Sequence, residues 1–537
     1  MNEVTANNFQ QLYPKVENAL KNATFFGVDL EFSGLHAGEG VQYSLFDTME
    51  KRYVRLKANL ERFIGIQFGL TAFHYVRDEN KYTAESFNFF LVPRSIPTKN
   101  RQFTCQAAAI EFLCSYEFDF NKCFYEGISY LNEIDEAELC NQLKTNSNLC
   151  YEEQFLSYKD ENELKVHSFQ IFEWLQTNPK DPIVIHTSTP ILQYLLQKEL
   201  RNQFPNIWTY AGDRKVTVLK VEKDVRISLQ EKEEHNIEQV FLDYYIGFSK
   251  VFKLLINLKK PIVGHNVLLD LMLMHHQFYK PLPKRYSEFK KNIHQLFPTI
   301  YDTKFISYEM KNLVDKEVLW KLNALSVLYT HFKDGKGRHS TLQSPFIELK
   351  EKTVADKEKY HEAGWDSYCA GFCFIRLAHL FAVNSLGKGS DLRPLTNIEI
   401  MSGVKNYANC VNVMRGIVTH MKLDGPDPEQ KRIKWLHVQS LGREALNISE
   451  IAETFSTYGA MDVKLCTPER AVIAVSNQSS AHNILKHFRS HKELRVSPYS
   501  LLKHSPTMRI LFWSGLVISG GMVAWMLHRN LEKSSLQ

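Results

Sequence analysis

The stretch at residues 24–35, TFFGVDLEFSGL, sets the tightest limit on what this chain can fold into. Its aromatic and β-branched residues read as a strand, and in a strand Asp29 and Glu31, two positions apart, point to the same face. Two like charges on an apolar face are costly unless a cation lies between them. A D-x-E pair alone is usually a solvated strand feature, but FFGV before it and FSGL after it argue against solvation here. The fold must therefore bring positive charge to this strand.

Two further segments supply matching chemistry. In PIVGHNVLLDL a short strand ends at a turn, and the helix beginning there carries Asp270 one turn in, near the sheet edge. By itself Asp270 could equally be a partner of the helix dipole. In HEAGWDSYCAGFC, Gly364 lets the chain approach the sheet, the following helix presents Asp366 inward, and His361 sits on the approach to it; the helix is expected over 355–383. Four convergent carboxylates suit two divalent cations of the magnesium type, because hard oxygen ligands leave positions open for water and phosphate. The implied reaction class is metal-assisted phosphodiester hydrolysis.

A length of 537 residues predicts three to four folding units. Apolar residues at 44% and charged residues at 23% argue against wholesale disorder and a polytopic membrane protein, and a net charge of +5 on this length argues neither for nor against nucleic acid. Nine cysteines without a C-x-x-C pair make a disulfide scaffold or structural zinc site a poor reading. Strands are expected at 62–76 and 87–92 and a helix at 106–116, so a mixed α/β sheet begins here. Residues 165–235 have the size of a small inserted domain. From 432 to 490 the order strand, helix, two strands, helix matches most of a βαββαβ unit of the RNA-recognition type, but its third strand, RAVIAVSN, lacks aromatic rings for base stacking. A packing or interaction module is an equal reading. Lys280, Lys284, Arg285, Lys290 and Lys291, and Lys333, Lys336 and Arg338, form basic clusters that would attract phosphates or simply be solvated.

Residues 510–527, ILFWSGLVISGGMVAWML, contain no charge and would span roughly 27 Å as a helix. Basic residues flank the stretch, and Trp513 and Trp525 lie near its ends, where amphipathic rings favour an interface. The expectation is a transmembrane tail anchor in a lipid bilayer; a buried core helix is the alternative. Moderate hydrophobicity and basic flanks favour the mitochondrial outer membrane over the endoplasmic reticulum, with the remainder facing the cytosol.

With D-L-E-F-S-G-L, G-H-N-V-L-L-D and H-E-A-G-W-D in place, the sequence resembles the DEDDh 3′-to-5′ exonucleases, and within them the poly(A)-specific ribonuclease (PARN) family. The blocks at 64–70, 106–131, 296–304 and 361–375 extend the resemblance over roughly residues 1 to 385. It implies an RNase H-like core in two parts, 1–164 and 236–400, interrupted by the insert at 165–235 and followed by an RRM-like module at 430–495 and the anchor at 510–527. Where the family's insert carries an Arg-x-x-x-His motif for single-stranded nucleic acid, this one has none. A C-terminal anchor is a mark of the PARN-like domain-containing branch, which includes piRNA-trimming enzymes. Membership there implies that Asp29, Glu31, Asp270 and Asp366 hold two Mg²⁺, with Mn²⁺ as an alternative, and that His361 is the catalytic base. Phe32, Leu35 and Asn266 would touch the terminal nucleotide, or serve as core packing and a turn cap. The implied substrate is the single-stranded RNA 3′ end of a precursor piRNA held by a PIWI protein, with a Tudor-domain scaffold as membrane partner and a homodimer left open. A tethered deadenylase acting on mRNA tails and an inactive RNA-binding adaptor are the competing readings.

Overall fold

A computed structural model describes residues 1–35, 44–96, 99–144, 158–212, 214–232, 237–311, 313, 320, 322–340, 343–350, 359–386, 393–416, 418–429, 435–442, 445–476, 478–505 and scattered positions in 508–526. The chain forms two compact units: Met1–Glu39 with Leu56–Asn412, and Gly40–Arg55 with Val413–Gln537.

The first unit is built on a mixed sheet. Its strands are β1 (Asn2–Val4), β2 (Phe25–Phe32), β3 (Gly65–Val76), β4 (Lys81–Phe90), β8 (Ile262–Gly264), β9 (Ile300–Asp302), β10 (Phe346–Leu349) and β11 (Cys410–Asn412), with β5 to β7 in the insert described below. They run in the order β1-β4-β3-β2-β8-β9-β11, and β10 also pairs with β4. The β2-β3-β4 meander is antiparallel, whereas β8 joins β2, and β9 joins β8, in parallel. Parallel additions need crossover connections, and the helices between these strands provide them.

Alternation along the meander sorts its residues between two layers. Phe68 and Phe89 meet Phe248 with ring centroids 4.8 and 5.1 Å apart, and Phe248 packs on Phe278. On the opposite face Phe25 stacks on Phe73 at 4.7 Å and meets Phe374 of the helix Ala363–Leu386. The register pairs Asp29 with Gly69 and Glu31 with Gln67, so both acids lie on the face that this helix covers. The helix comes unusually near the sheet. A Cβ on Gly69 would lie 1.8 Å from the Ala363 carbonyl oxygen, and one on Gly27 would lie 2.3 Å from that of Ser367, so only glycine allows the approach. Ala363–Leu386 is long and apolar enough to cross a membrane, yet two thirds of its most apolar stretch is buried, and it is the core helix of this unit. It starts at Ala363; of the expected stretch before it, 355–358 lie outside the described residues and 359–362 are not helical. His361 lies in the preceding turn with a positive φ of 64°, a backbone conformation that does not continue a helix.

Between the two stretches of core lies a smaller layer: helix Tyr158–Gln176, β5 (Ile183–His186), helix Pro190–Gln203, β6 (Ile207–Gly212), β7 (Lys215–Lys220) and helix Lys223–Glu231. Its antiparallel sheet, in the order β5-β7-β6, closes over Ile171, Ile185, Leu196, Leu200, Ile207, Val216 and Val218. Strand β6 was not among the elements expected from sequence. Its aromatic IWTY run is short, and Arg201 lying 3.8 Å from the Trp208 ring helps to fix it.

In the second unit, after β12 (His420–Lys422), come β13 (Trp435–Ser440), helix Ile448–Ser456, β14 (Met461–Thr467), β15 (Arg470–Val475), helix Gln478–His487 and β16 (Leu494–Pro498). The antiparallel order β14-β15-β13-β16 is a βαββαβ sheet, with the last strand running past residue 495. Leu436, Val438, Ala471 and Ile473 face the helices with Ile451, Phe455 and Ile484. Among the described positions of 508–526 every residue is helical; 512, 515–516, 518, 520 and 527, all within the expected anchor, lie outside the described residues.

Candidate active site

Asp29, Glu31, Asp270 and Asp366 lie close enough for their charges to act on one another. Strand β2 presents Asp29 and Glu31, and Asp366 arrives from the first turn of the long helix on the same face. Asp270 comes from helix Leu268–Met274 beyond β8, its Oδ1 accepting the Leu30 backbone N–H at 3.0 Å between the two strand acids. One ligand atom from each of Glu31, His361 and Asp366 lies within 4.8 Å of the others. A register shift between Glu31 and Phe32 ends the regular β2–β3 ladder beside these groups, a device that re-aims side chains at strand ends.

Polar side chains from the sheet hold the start of the Asp366 helix. Gln67 Oε1 accepts the Ala363 N–H at 2.9 Å, Asn88 Oδ1 accepts the Gly364 N–H at 3.1 Å, and Thr71 shares a 2.7 Å hydrogen bond with Ser367. Helix N-terminal N–H groups lack intrahelical partners, so these amides act as caps supplied from a distance. Asp366 Oδ2 accepts the His361 N–H at 3.1 Å, which ties the histidine to the acid across the turn. The His361 ring packs against Tyr116 and Phe112, with centroids 4.1 and 4.7 Å away.

Asp302 does the same work beneath Asp270. Fully buried at the end of β9, it accepts backbone N–H groups from Asn266, Val267, Lys304 and Asn412 and so fixes the turn between β8 and the Asp270 helix. Asn266, at φ 66°, sits in that turn with its Oδ1 accepting from Asn412 at 2.7 Å. Phe32 ends β2, and the Leu35 N–H donates to Gln106 Oε1. Sequence reading passed over Gln67, Thr71, Asn88, Asp302 and Ser367. The available signal was polar residues inside strands and helices otherwise made of apolar ones, such as IGIQFGLTAF and IYDT.

The electrostatics are one-sided. Burial raises Asp29 far above the ordinary carboxylate range, and the negative charges of Asp366, Asp270 and Glu31 raise it further. Glu31 is raised in the same way by burial, then by Asp366 and Asp270. Burial pushes Asp270 and Asp366 up to about 7, although the Leu30 and His361 N–H groups pull the other way. Asp366 Oδ1 is buried without a hydrogen-bond partner. Crowded buried acids with an unsatisfied oxygen match the needs of hard divalent cations, which take oxygen ligands and allow every acid to ionise.

The family model described as CAF1 family ribonuclease matches residues 4–374. Full-length relatives agree. A protein from Bombyx mori named pre-piRNA 3′-exonuclease trimmer is 36% identical over 99% of each chain. Poly(A)-specific ribonuclease PNLDC1 from Mus musculus is 30% identical over 98% of this chain and all of its own, and poly(A)-specific ribonuclease PARN from Xenopus laevis is 29% identical over 93% of this chain and 80% of its own. Matched by the family model over more than half of its length and by relatives along nearly all of it, this chain belongs to the CAF1 family of ribonucleases.

Proposed function

We propose that this protein is a cation-dependent 3′-to-5′ exoribonuclease that trims the single-stranded 3′ ends of precursor piRNAs held by a PIWI protein, releasing 5′-nucleotides. The observation that carries the chemistry is the set of four crowded acids, three of them buried and Asp29 half-buried, with Asp366 Oδ1 left without a partner. The substrate reading is supported by the trimmer relative from Bombyx mori, aligned over nearly the whole of both chains. Asp29, Glu31, Asp270 and Asp366 would hold two Mg²⁺, or Mn²⁺, whose charge acidifies the attacking water and stabilises the leaving 3′-oxygen. His361 takes the water's proton at an imidazole nitrogen, the residue being held at the site by its backbone N–H on Asp366 and by the Tyr116 ring. Phe32, Leu35 and Asn266 are the proposed contacts to the terminal nucleotide.

The proposal includes tethering through 510–527. Ile510, Trp513 and Val517 are helical and 69%, 62% and 72% exposed, an arrangement that favours lipid over water. The mitochondrial outer membrane, a Tudor-domain scaffold there and cytosol-facing catalysis complete the reading, with a homodimer as an open state. The relatives named poly(A)-specific ribonuclease favour a second reading, a tethered deadenylase.

Purified protein offered a PIWI-bound precursor with a mixed 3′ sequence and, separately, free poly(A) discriminates the two. Faster turnover of the PIWI-bound precursor supports trimming; preference for poly(A) overturns it. Truncation after Lys503 should move the protein from the membrane to the soluble fraction and leave hydrolysis of short free RNA intact. Persistent integral membrane association would refute the anchor.

A further inference from the structure

We infer that a cleft between the inserted β5-β7-β6 layer and the N-terminal part of the core is a second nucleotide-binding site, one that takes a nucleoside phosphate unit either as part of single-stranded RNA or as a free mononucleotide. The RNA source rests on the proposed function; the cleft itself does not. Its volume is about 400 Å³, and its walls include Arg94, Arg214, Tyr125, Asn7, Gln10 and Asp243. None of the acid cluster lines it.

The chemistry of the walls selects the ligand. Arg94 Nε is shielded from water with no hydrogen-bond partner among the described residues, and Nη2 of the same guanidinium donates to the Gly127 carbonyl at 3.5 Å. Arg214 is exposed at the β6–β7 turn. Among the described residues of the cleft the one acid, Asp243, is paired with Lys250 at 2.8 Å, so its charge is offset and the two arginines give these walls their sign. Guanidinium groups match phosphate oxygens through fixed, paired donors. Tyr125, 74% exposed, offers a ring face on which a base can stack, and the Asn7 and Gln10 amides can donate to and accept from a base edge. Phosphate donors, a stacking face and edge-reading amides together are what a nucleotide needs, and a volume of this size admits one unit of it.

The test uses the full chain and two surface variants outside the catalytic group, Arg214→Gln and Tyr125→Ala. Binding of a fluorescent single-stranded oligoadenylate is measured in EDTA, where hydrolysis is blocked, with unlabelled AMP as competitor. Each variant should weaken oligoadenylate binding roughly tenfold. With Mg²⁺ restored, KM for a long RNA should rise with kcat unchanged, and hydrolysis of a dinucleotide should be unaffected. If AMP displaces the oligonucleotide from wild type but not from the variants' residual binding, the site also takes free mononucleotide; if AMP does not compete, it takes the polymer alone. Unchanged oligoadenylate affinity in both variants would overturn the site while leaving the nuclease reading intact. Failure of wild type to cleave any RNA would overturn that reading while leaving the binding result standing.

Discussion

The two large sheets of this protein treat their polar faces in opposite ways. On the nuclease sheet, the face under helix Ala363–Leu386 carries Asp29 and Glu31, and the groups that act on them are other acids. On the C-terminal sheet, the face away from its helices carries Trp435, His437 and Asp462, and each has a partner from the same unit. Trp435 meets Phe46 and Tyr499 at 5.5 Å, His437 stacks on His504 at 4.2 Å, and Asp462 accepts the Leu45 N–H at 2.6 Å. His437 is left only 6% exposed. A βαββαβ sheet that binds RNA keeps this face open for stacked bases, whereas here the chain covers the part around His437 and leaves Lys464 and Arg495 exposed on the outer strands. An unmet charge on one sheet reserves space for a ligand, and partnered rings on the other occupy it.

The sharpest way to break this contrast is to remove a charge from the first sheet. Asp29→Ala or Glu31→Ala should abolish RNA cleavage with Mg²⁺ present while the circular dichroism spectrum is retained, because these side chains serve charge and not packing. Wild-type turnover by either variant would end the assignment of the four acids. His361→Ala should act next most strongly, lowering kcat by roughly 10²-fold, with Mn²⁺ affinity by calorimetry close to wild type. A loss of Mn²⁺ binding would instead make the histidine a ligand, a role its position beside Glu31 and Asp366 also allows.

The legibility of the two sheets differed for the same physical reason. Asp29, Glu31, Asp270 and Asp366 stood out because ionisable residues in apolar runs have few stable explanations, and local patterns fixed their elements closely. The order of the C-terminal elements was equally readable, but the filling of its face was not. Phe46 and Trp435 are separated by nearly four hundred residues, and no periodicity links them. The caps from Gln67 and Asn88 to Ala363 and Gly364 escaped notice likewise, since a side chain that satisfies a remote helix end leaves no local trace. The start of the long helix was misplaced because helix-forming residues precede it, while the positive φ of His361 depends on tertiary contacts.

A smaller effect sharpens the comparison through pH. Without a cation, Asp270 and Asp366 keep their protons up to about pH 7 in the folded chain but lose them near pH 4 when unfolded. The folded state then holds more protons between those values, so their contribution to stability is full below about pH 4 and is lost as pH rises through about 7. Divalent cations reverse this by binding the ionised acids. Mg²⁺ should therefore raise the melting temperature by several degrees at pH 8 and by little at pH 5. Asp270→Asn should stabilise the EDTA-treated protein at pH 8 and erase much of the Mg²⁺ effect. An equal Mg²⁺ shift at both pH values would mean that the ion acts elsewhere.

The smallest effect on RNA chemistry is expected at the closed face. Trp435→Ala removes a ring packed between Phe46 and Tyr499, and half-buried aromatic truncations of this kind cost about 2–3 kcal/mol. The loss should appear as a lower denaturation midpoint of the C-terminal unit, followed by a probe such as Trp or Tyr fluorescence. Phe46→Ala should lower it too, and the double variant should lose less than the sum, because the two rings share one contact worth about 1 kcal/mol. Cleavage of a short single-stranded RNA and its affinity in EDTA should stay within twofold of wild type. A clear fall in RNA affinity without a fall in stability would show that bases displace the Phe46 ring and stack on Trp435. The C-terminal sheet would then be a binding face held shut by its own chain, and the contrast between the two sheets would become one between a permanent site and a gated one.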